Sequence, residues 1–198
     1  MSRFSSDIFK YRSYTPIPFL LLMVIFQQPT LQTILLGLVM VILGEFFRLW
    51  GVSYAGSETR TTGPVGGTYL VVSGPYAFVR NPLYLGNILL YSGIGVMSNA
   101  LFPYLVIVAF LFFYLQYRII INEEEGYLVK AFGSSYERFR KSVPRLIPSP
   151  KKYTDLSLPQ PSYNLKAGLK SERRTLQAIT AVLLIIVVPF IIKNYIAK

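Results

Sequence analysis

The sequence predicts an all-α, polytopic membrane protein with about five transmembrane helices, and three observations lead there. Hydrophobic residues make up 53% of the 198 and aromatics 15%, more than a soluble fold carries. Several apolar stretches approach the ~20 residues a helix needs to cross a bilayer. Basic residues cluster on alternate connections, as they do where one side faces anionic lipid.

The first span is read at 16–27, PIPFLLLMVIFQ, after the basic leader MSRFSSDIFKYRSY; no small-residue cleavage site follows, so the leader is expected to be retained. The second, at 31–47, follows the tight turn QQPT, in which Thr30 can cap the new helix. Residues 48–82 hold GSETRTTGPVGGTYLVVSGPY, too rich in Gly, Pro and Thr for a continuous helix, with TYLVV a candidate extended piece. The third and fourth spans, at 82–97 and 101–121, are separated by SNALFP. Residues 131–148, AFGSSYERFRKSVPRLIP, repeat Phe132, Tyr136 and Phe139 at helical spacing with Arg138, Arg140 and Lys141 between them. An amphipathic helix on the membrane surface, able to roof a site between the spans, fits that pattern. A polar, proline-spaced linker at 150–173 precedes a fifth span at 174–192. The expected organisation is therefore a core at 1–149, a linker at 150–173 and an additional C-terminal transmembrane helix at 174–198.

More than half of the 20 Lys and Arg fall in 118–173, and the turns at 27–30 and 98–103 have none. This places the N-terminus, the 48–82 loop and the 118–173 segment in the cytoplasm, and the C-terminus outside. The same bias accounts for the net charge of +11 without nucleic acid as a partner. Cysteine and histidine are both absent, which removes thiolate chemistry, the commonest general base and the commonest metal ligands, so no metal site is expected. Chemistry must run on carboxylates, Arg, Lys, Tyr and backbone groups.

Asn81-Pro82 opens the third span with a preferred cap and a preferred first residue. Capping and headgroup contact by Arg80 are the plain explanation; the free N–H groups and positive dipole there also suit a carboxylate or phosphate. Asn122-Glu123-Glu124-Glu125 closes the fourth span, where acidic side chains oppose the macrodipole and repel one another, so a cationic partner is expected. Glu45 and Arg48, three residues apart, are expected to pair structurally. Gly93-Ile94-Gly95 indicates close helix packing.

In order, Gly74-Pro75-Tyr76, Arg80-Asn81-Pro82-Leu83-Tyr84-Leu85-Gly86, Glu124-Glu125 and Phe132-Gly133-Ser134-Ser135-Tyr136 resemble the isoprenylcysteine carboxyl methyltransferase and phospholipid methyltransferase superfamily of integral membrane enzymes. The likeness covers roughly residues 40–148. It implies methyl transfer from S-adenosyl-L-methionine, held at the cytoplasmic face under the C-terminal amphipathic segment, to a lipid or small lipophilic acceptor from the bilayer. By position, the implied cofactor contacts are Thr68, Tyr69, Leu70, Val71, Tyr76, Arg80, Asn81, Pro82, Leu83, Tyr84, Glu124 and Glu125.

Two positions depart from that pattern. Asn81 stands where the carboxyl methyltransferases have histidine, although the phospholipid enzymes resemble this chain in having Asn-Pro. Ile120 stands where the isoprenylcysteine enzymes place an acceptor-binding Arg; Arg118, the remaining candidate, is turned about 120° from Glu124 on an ideal helix. An NADPH-dependent steroid-reductase-like enzyme is similar in its Arg-x-Pro-x-Tyr-x-Gly element but has Glu where this chain has Asn87. An inactive lipid-binding protein of the same fold is the non-enzymatic alternative.

Overall fold

The computed structural model describes residues 3–56 and 70–196. These residues form six α-helices in order: α1 Arg3–Tyr11, α2 Pro16–Ile25, α3 Leu31–Ala55, α4 Pro82–Ser98, α5 Tyr104–Ser142 and α6 Leu165–Ile191. A 3₁₀ turn at Gly74–Ala77 precedes α4, and a π turn at Ile192–Ile196 ends α6. The described residues contain no strand, and the expected extended piece at TYLVV begins outside them.

Among the described residues, three helical stretches are long and apolar enough to cross a bilayer: Leu31–Ala55, Tyr104–Ser142 and Leu165–Ile196. Their outward faces carry exposed side chains such as Leu35, Ile42, Phe46, Ile107, Leu111 and Leu184, as surfaces facing hydrocarbon do. This is an integral membrane protein. The expected first and third spans are shorter: α2 has 10 residues and α4 has 17, about 15 and 26 Å at the helical rise.

Thr30 caps α3, accepting from the Thr33 N–H while the Thr33 hydroxyl accepts from the Thr30 N–H. The antiparallel pair α3 and α4 then packs backbone to backbone. Gly37 faces Gly93 and Gly44 faces Gly86; a Cβ on Gly86 would lie 2.6 Å from the Gly44 carbonyl oxygen, and one on Gly44 2.7 Å from that of Gly86. Small residues on both helices permit this approach. Met23 from α2 fills the other side of α4, and Phe19 packs on Phe112 and Phe113 of α5.

Helix α5 turns at Gly133, where φ is 50° and ψ is −125°, a left-handed conformation that glycine adopts without a Cβ clash. Beyond the turn, Tyr136 and Phe139 pack with Leu70, Val72 and Val143 in a second small core. The amphipathic segment is thus folded against the protein, its aromatic stripe packed with Leu70 and Val72.

A strap without regular structure continues along the same loop. Its backbone exchanges hydrogen bonds with the stretch before α4: Arg80 N–H to Pro144 O at 2.9 Å, Ser149 N–H to Phe78 O at 2.8 Å, Tyr153 N–H to Ala77 O at 2.9 Å. Gln160 accepts from the Val72 N–H at 2.8 Å and donates to Leu70 O at 3.0 Å. These bonds satisfy polar backbone groups that no helix would satisfy. The expected linker therefore differs from the structure at its far end: Asn164 accepts from the Ala167 N–H and starts α6 nine residues before the predicted span. The cationic residues Lys166, Lys170 and Arg173 mask that helical turn in a hydropathy reading.

Candidate functional site

Two sequence-distant pieces meet where α4 begins. Asn81 occupies the cap position and Pro82 the first turn, as expected, but the Asn81 side chain makes no cap bond. It donates instead to the Arg145 carbonyl at 3.1 Å. Among the described residues, no side chain accepts from the first-turn N–H groups of α4 in its place.

From α5, the glutamates diverge. The Tyr84 hydroxyl donates to Glu124 Oε1 at 2.5 Å, tying the first turn of α4 to the end of the long apolar run. Glu124 enters no ion pair among the described residues, although the Arg12 charge acts on it from α1's end. Glu125, one residue on and about 100° around the helix, is 5% exposed and faces two arginines. Arg80 reaches its Oε1 through Nε at 3.1 Å and Nη2 at 2.9 Å. Arg145 contributes Nε to Oε1 at 3.2 Å and Nη2 to Oε2 at 2.5 Å, and its Nη1 donates to Asn122 at 3.0 Å. Arg80 Nη1 also donates to the carbonyls of Arg140 and Val143.

The predicted residues thus divide into groups. Tyr76, Asn81, Pro82, Leu83, Tyr84 and Glu124 gather around the α4 start. Burial, and after it the Glu124 charge, push the Tyr76 hydroxyl above its ordinary value, so that hydroxyl remains a proton donor. Leu83 packs on α3, where a Cβ on Gly51 would touch it at 3.0 Å. Arg80 and Glu125 are committed to each other and to the strap. Leu70 is buried beneath Tyr136, and Val71 sits between the backbone groups that Gln160 clamps. Thr68 and Tyr69 lie outside the described residues. The structure does not bring Arg118 to this cluster: its side chain is exposed and its guanidinium lies 5.9 Å over the Tyr114 ring, on the face the helical geometry predicts.

Sequence reasoning missed Arg145, Tyr117 and Glu172. The Tyr117 ring lies 4.9 Å from that of Tyr84, and its place two turns before Glu124 on one helical face was the available signal. Arg145 and Glu172 carry no local signal. The Glu45–Arg48 pair is present at 3.4 Å. No group of three or more metal-ligating side chains occurs among the described residues.

Residues 32–135 match the phospholipid methyltransferase family. A cobalt-zinc-cadmium resistance protein of Cupriavidus metallidurans is 35% identical over 114 residues, covering 56% of this chain and 49% of that protein. A protein-S-isoprenylcysteine O-methyltransferase of Schizosaccharomyces pombe is 39% identical over 79 residues, covering 40% of this chain and 33% of the relative. The Rattus norvegicus enzyme of the same name is 35% identical over 115 residues, with 57% and 40% covered. The chain spans less than half the length of each of these relatives. The matched residues run from α3 through the Gly133 turn and so contain both halves of the Tyr84–Glu124 contact. By that match the chain belongs to the phospholipid methyltransferase family, within the superfamily that includes the isoprenylcysteine O-methyltransferases.

Proposed function

We propose that this protein is an S-adenosyl-L-methionine-dependent membrane methyltransferase acting on a lipid or small lipophilic acceptor. The observation that carries the reading is the Tyr84–Glu124 hydrogen bond, which closes the α4 start against α5. The donor set there fits the cofactor's chemistry. First-turn N–H groups without a side-chain cap suit its carboxylate. Glu124, a carboxylate with no ion pair among the described residues, suits one of its cationic or hydroxyl groups.

When bound, the cofactor supplies a methyl group on a sulfonium, already an activated leaving group. The protein's part is then orientation and exclusion of water. Tyr76, Tyr84 and Glu124 hold one reactant; the 143–160 strap and the Tyr136–Phe139 stripe cover the loop that frames it. No strong base is required of a chain without histidine. We place the site on the cytoplasmic face with the N-terminus on that side and the C-terminus outside, α2 and α4 completing five spans, and the acceptor arriving from the bilayer.

Isothermal titration of S-adenosylmethionine into the purified protein tests the reading. Glu124→Gln is expected to weaken binding roughly tenfold, as loss of a charge-assisted contact does, and Glu123→Gln to leave it within twofold. Equal effects of the two, or binding of NADPH in place of S-adenosylmethionine, refute it. Mass spectrometry of lipid extracts incubated with protein and labelled donor then identifies the acceptor.

A further inference from the structure

Helix α6 lies beyond the residues that match the family, yet it sends a carboxylate into the middle of the molecule. Glu172 is 1% exposed. Its Oε2 sits 2.5 Å from Nη2 of Arg48 on α3, which also donates to Thr175 at 3.3 Å. Glu45 lies 3.4 Å from Arg48 Nε. The remaining guanidinium nitrogen, Nη1, donates to the side-chain oxygen of Asn87 on α4.

Adhesion alone does not call for this arrangement. Gly168 already packs on Ser53, the Asn164 N–H donates to the Ser53 carbonyl at 2.8 Å, and Ile179 and Ile186 enter the apolar core. A buried ion pair is weak evidence for net stability, because desolvation offsets its attraction. What a guanidinium adds is direction: its donors leave a rigid plane at fixed angles. With Nη2 held by Glu172 and Nε beside Glu45, Nη1 is aimed at the Asn87 oxygen. That fixes which way the Asn87 amide faces. The Tyr117 ring packs on Tyr84, and Tyr84 holds Glu124. Asn87 itself stands one turn beyond Tyr84 on α4. A contiguous chain of contacts therefore runs from α6 to the candidate site.

We infer that Glu172 is a positioning residue: through Arg48 and Asn87 it sets the Tyr117–Tyr84–Glu124 arrangement, making α6 a working part of the site. The inference rests on the cofactor reading above, and its mechanism is geometric. Glu172 touches no cofactor atom in this scheme; it determines how well Tyr84 and Glu124 are presented.

The test is S-adenosylmethionine affinity by isothermal titration on the full chain, with the melting temperature of every variant measured in parallel. Glu172→Gln keeps the volume and removes the charge, and is expected to lower affinity roughly fivefold, within the range for residues coupled to a site without contacting it. Ile179→Ala loosens the same helix through its apolar face and is expected to leave affinity within twofold despite a comparable or larger fall in melting temperature. Replacing all three charged partners, Glu45→Gln, Arg48→Leu and Glu172→Leu, removes the buried charges together and is expected to recover stability while affinity stays low. Affinity that follows melting temperature across the set, or that returns in the triple variant, overturns the positioning role and leaves only a structural tie. A wild-type chain that shows no binding overturns the cofactor reading and this inference with it. A wild-type chain that binds, with Glu172→Gln unchanged, overturns this inference alone.

Discussion

Removing the Glu125 carboxylate should cost stability before it costs anything else. Its side chain is 7% exposed and that of Arg80 10%, so Glu125→Ala leaves a buried guanidinium without its counter-charge. Breaking a pair buried on both sides costs about 3–5 kcal/mol. Arg145 is 33% exposed and relaxes into solvent, adding at most ~1 kcal/mol. Arg80 keeps its bonds to the Arg140 and Val143 carbonyls, which softens the loss. The expected total is about 3 kcal/mol, with the lower bound of the buried-pair range as the guide. For a chain of this length that is a fall of roughly 6–12 °C in melting temperature. Thermal unfolding in mild detergent, followed by far-ultraviolet circular dichroism, measures it. Glu124→Gln, whose partner is a neutral hydroxyl, should fall much less. A drop below ~2 °C for Glu125→Ala, less than 1 kcal/mol on the same scale, refutes the clamp.

Gly86→Val places methyl groups where the Gly44 carbonyl stands 2.6 Å from a Cβ, so α3 and α4 must separate; a loss of about 1–3 kcal/mol is expected in the same melting assay, and an unchanged midpoint counts against the packing described. Gln160→Ala deletes the two bonds that hold Leu70 and Val72. Proteolysis of the 143–164 strap should accelerate severalfold, as expected for a loss of about 1–2 kcal/mol of local closure; an unchanged cleavage rate would show that other contacts dominate. Because the chain has no cysteine, single cysteines report topology cleanly. Lys152→Cys should react with an impermeant reagent from the cytoplasmic side and Gln28→Cys from the opposite side, and labelling of both from one side contradicts the proposed orientation.

How much was legible beforehand differs from residue to residue. Asn81 and Pro82 announced a helix start because capping chemistry is local, yet the Asn81 side chain went to Arg145, a partner 64 positions away that no local pattern names. The acidic triplet was visible as a charge anomaly. Its division of labour was not: one helical step of about 100° separates a carboxylate facing Tyr84 from one facing two arginines. Phe132, Tyr136 and Phe139 had the spacing of a helical stripe, and hydropathy alone does not say whether such a stripe meets lipid or protein. The Gly133 turn and the apolar side chains of Leu70 and Val72 settle that in favour of protein. Residues 150–173 read as a linker because prolines and lysines carry no helical period, whereas the Tyr153 N–H and the Gln160 side chain bond the backbone of the 70–81 loop.

The sequence by itself determined that the chain is helical, that it lies in a membrane, and that a polar helix start and an acidic helix end are its chemical features, because length, hydropathy and capping preference are properties of short windows. Only the tertiary structure decided that Glu124 meets Tyr84, that Glu125 is spent on Arg80 and Arg145, and that Glu172 on the last helix reaches Arg48. Those contacts join residues 20 to 124 positions apart. Their existence depends on how glycine-lined helices approach one another and on where buried charges find partners, which is set by packing in three dimensions and not by neighbours along the chain.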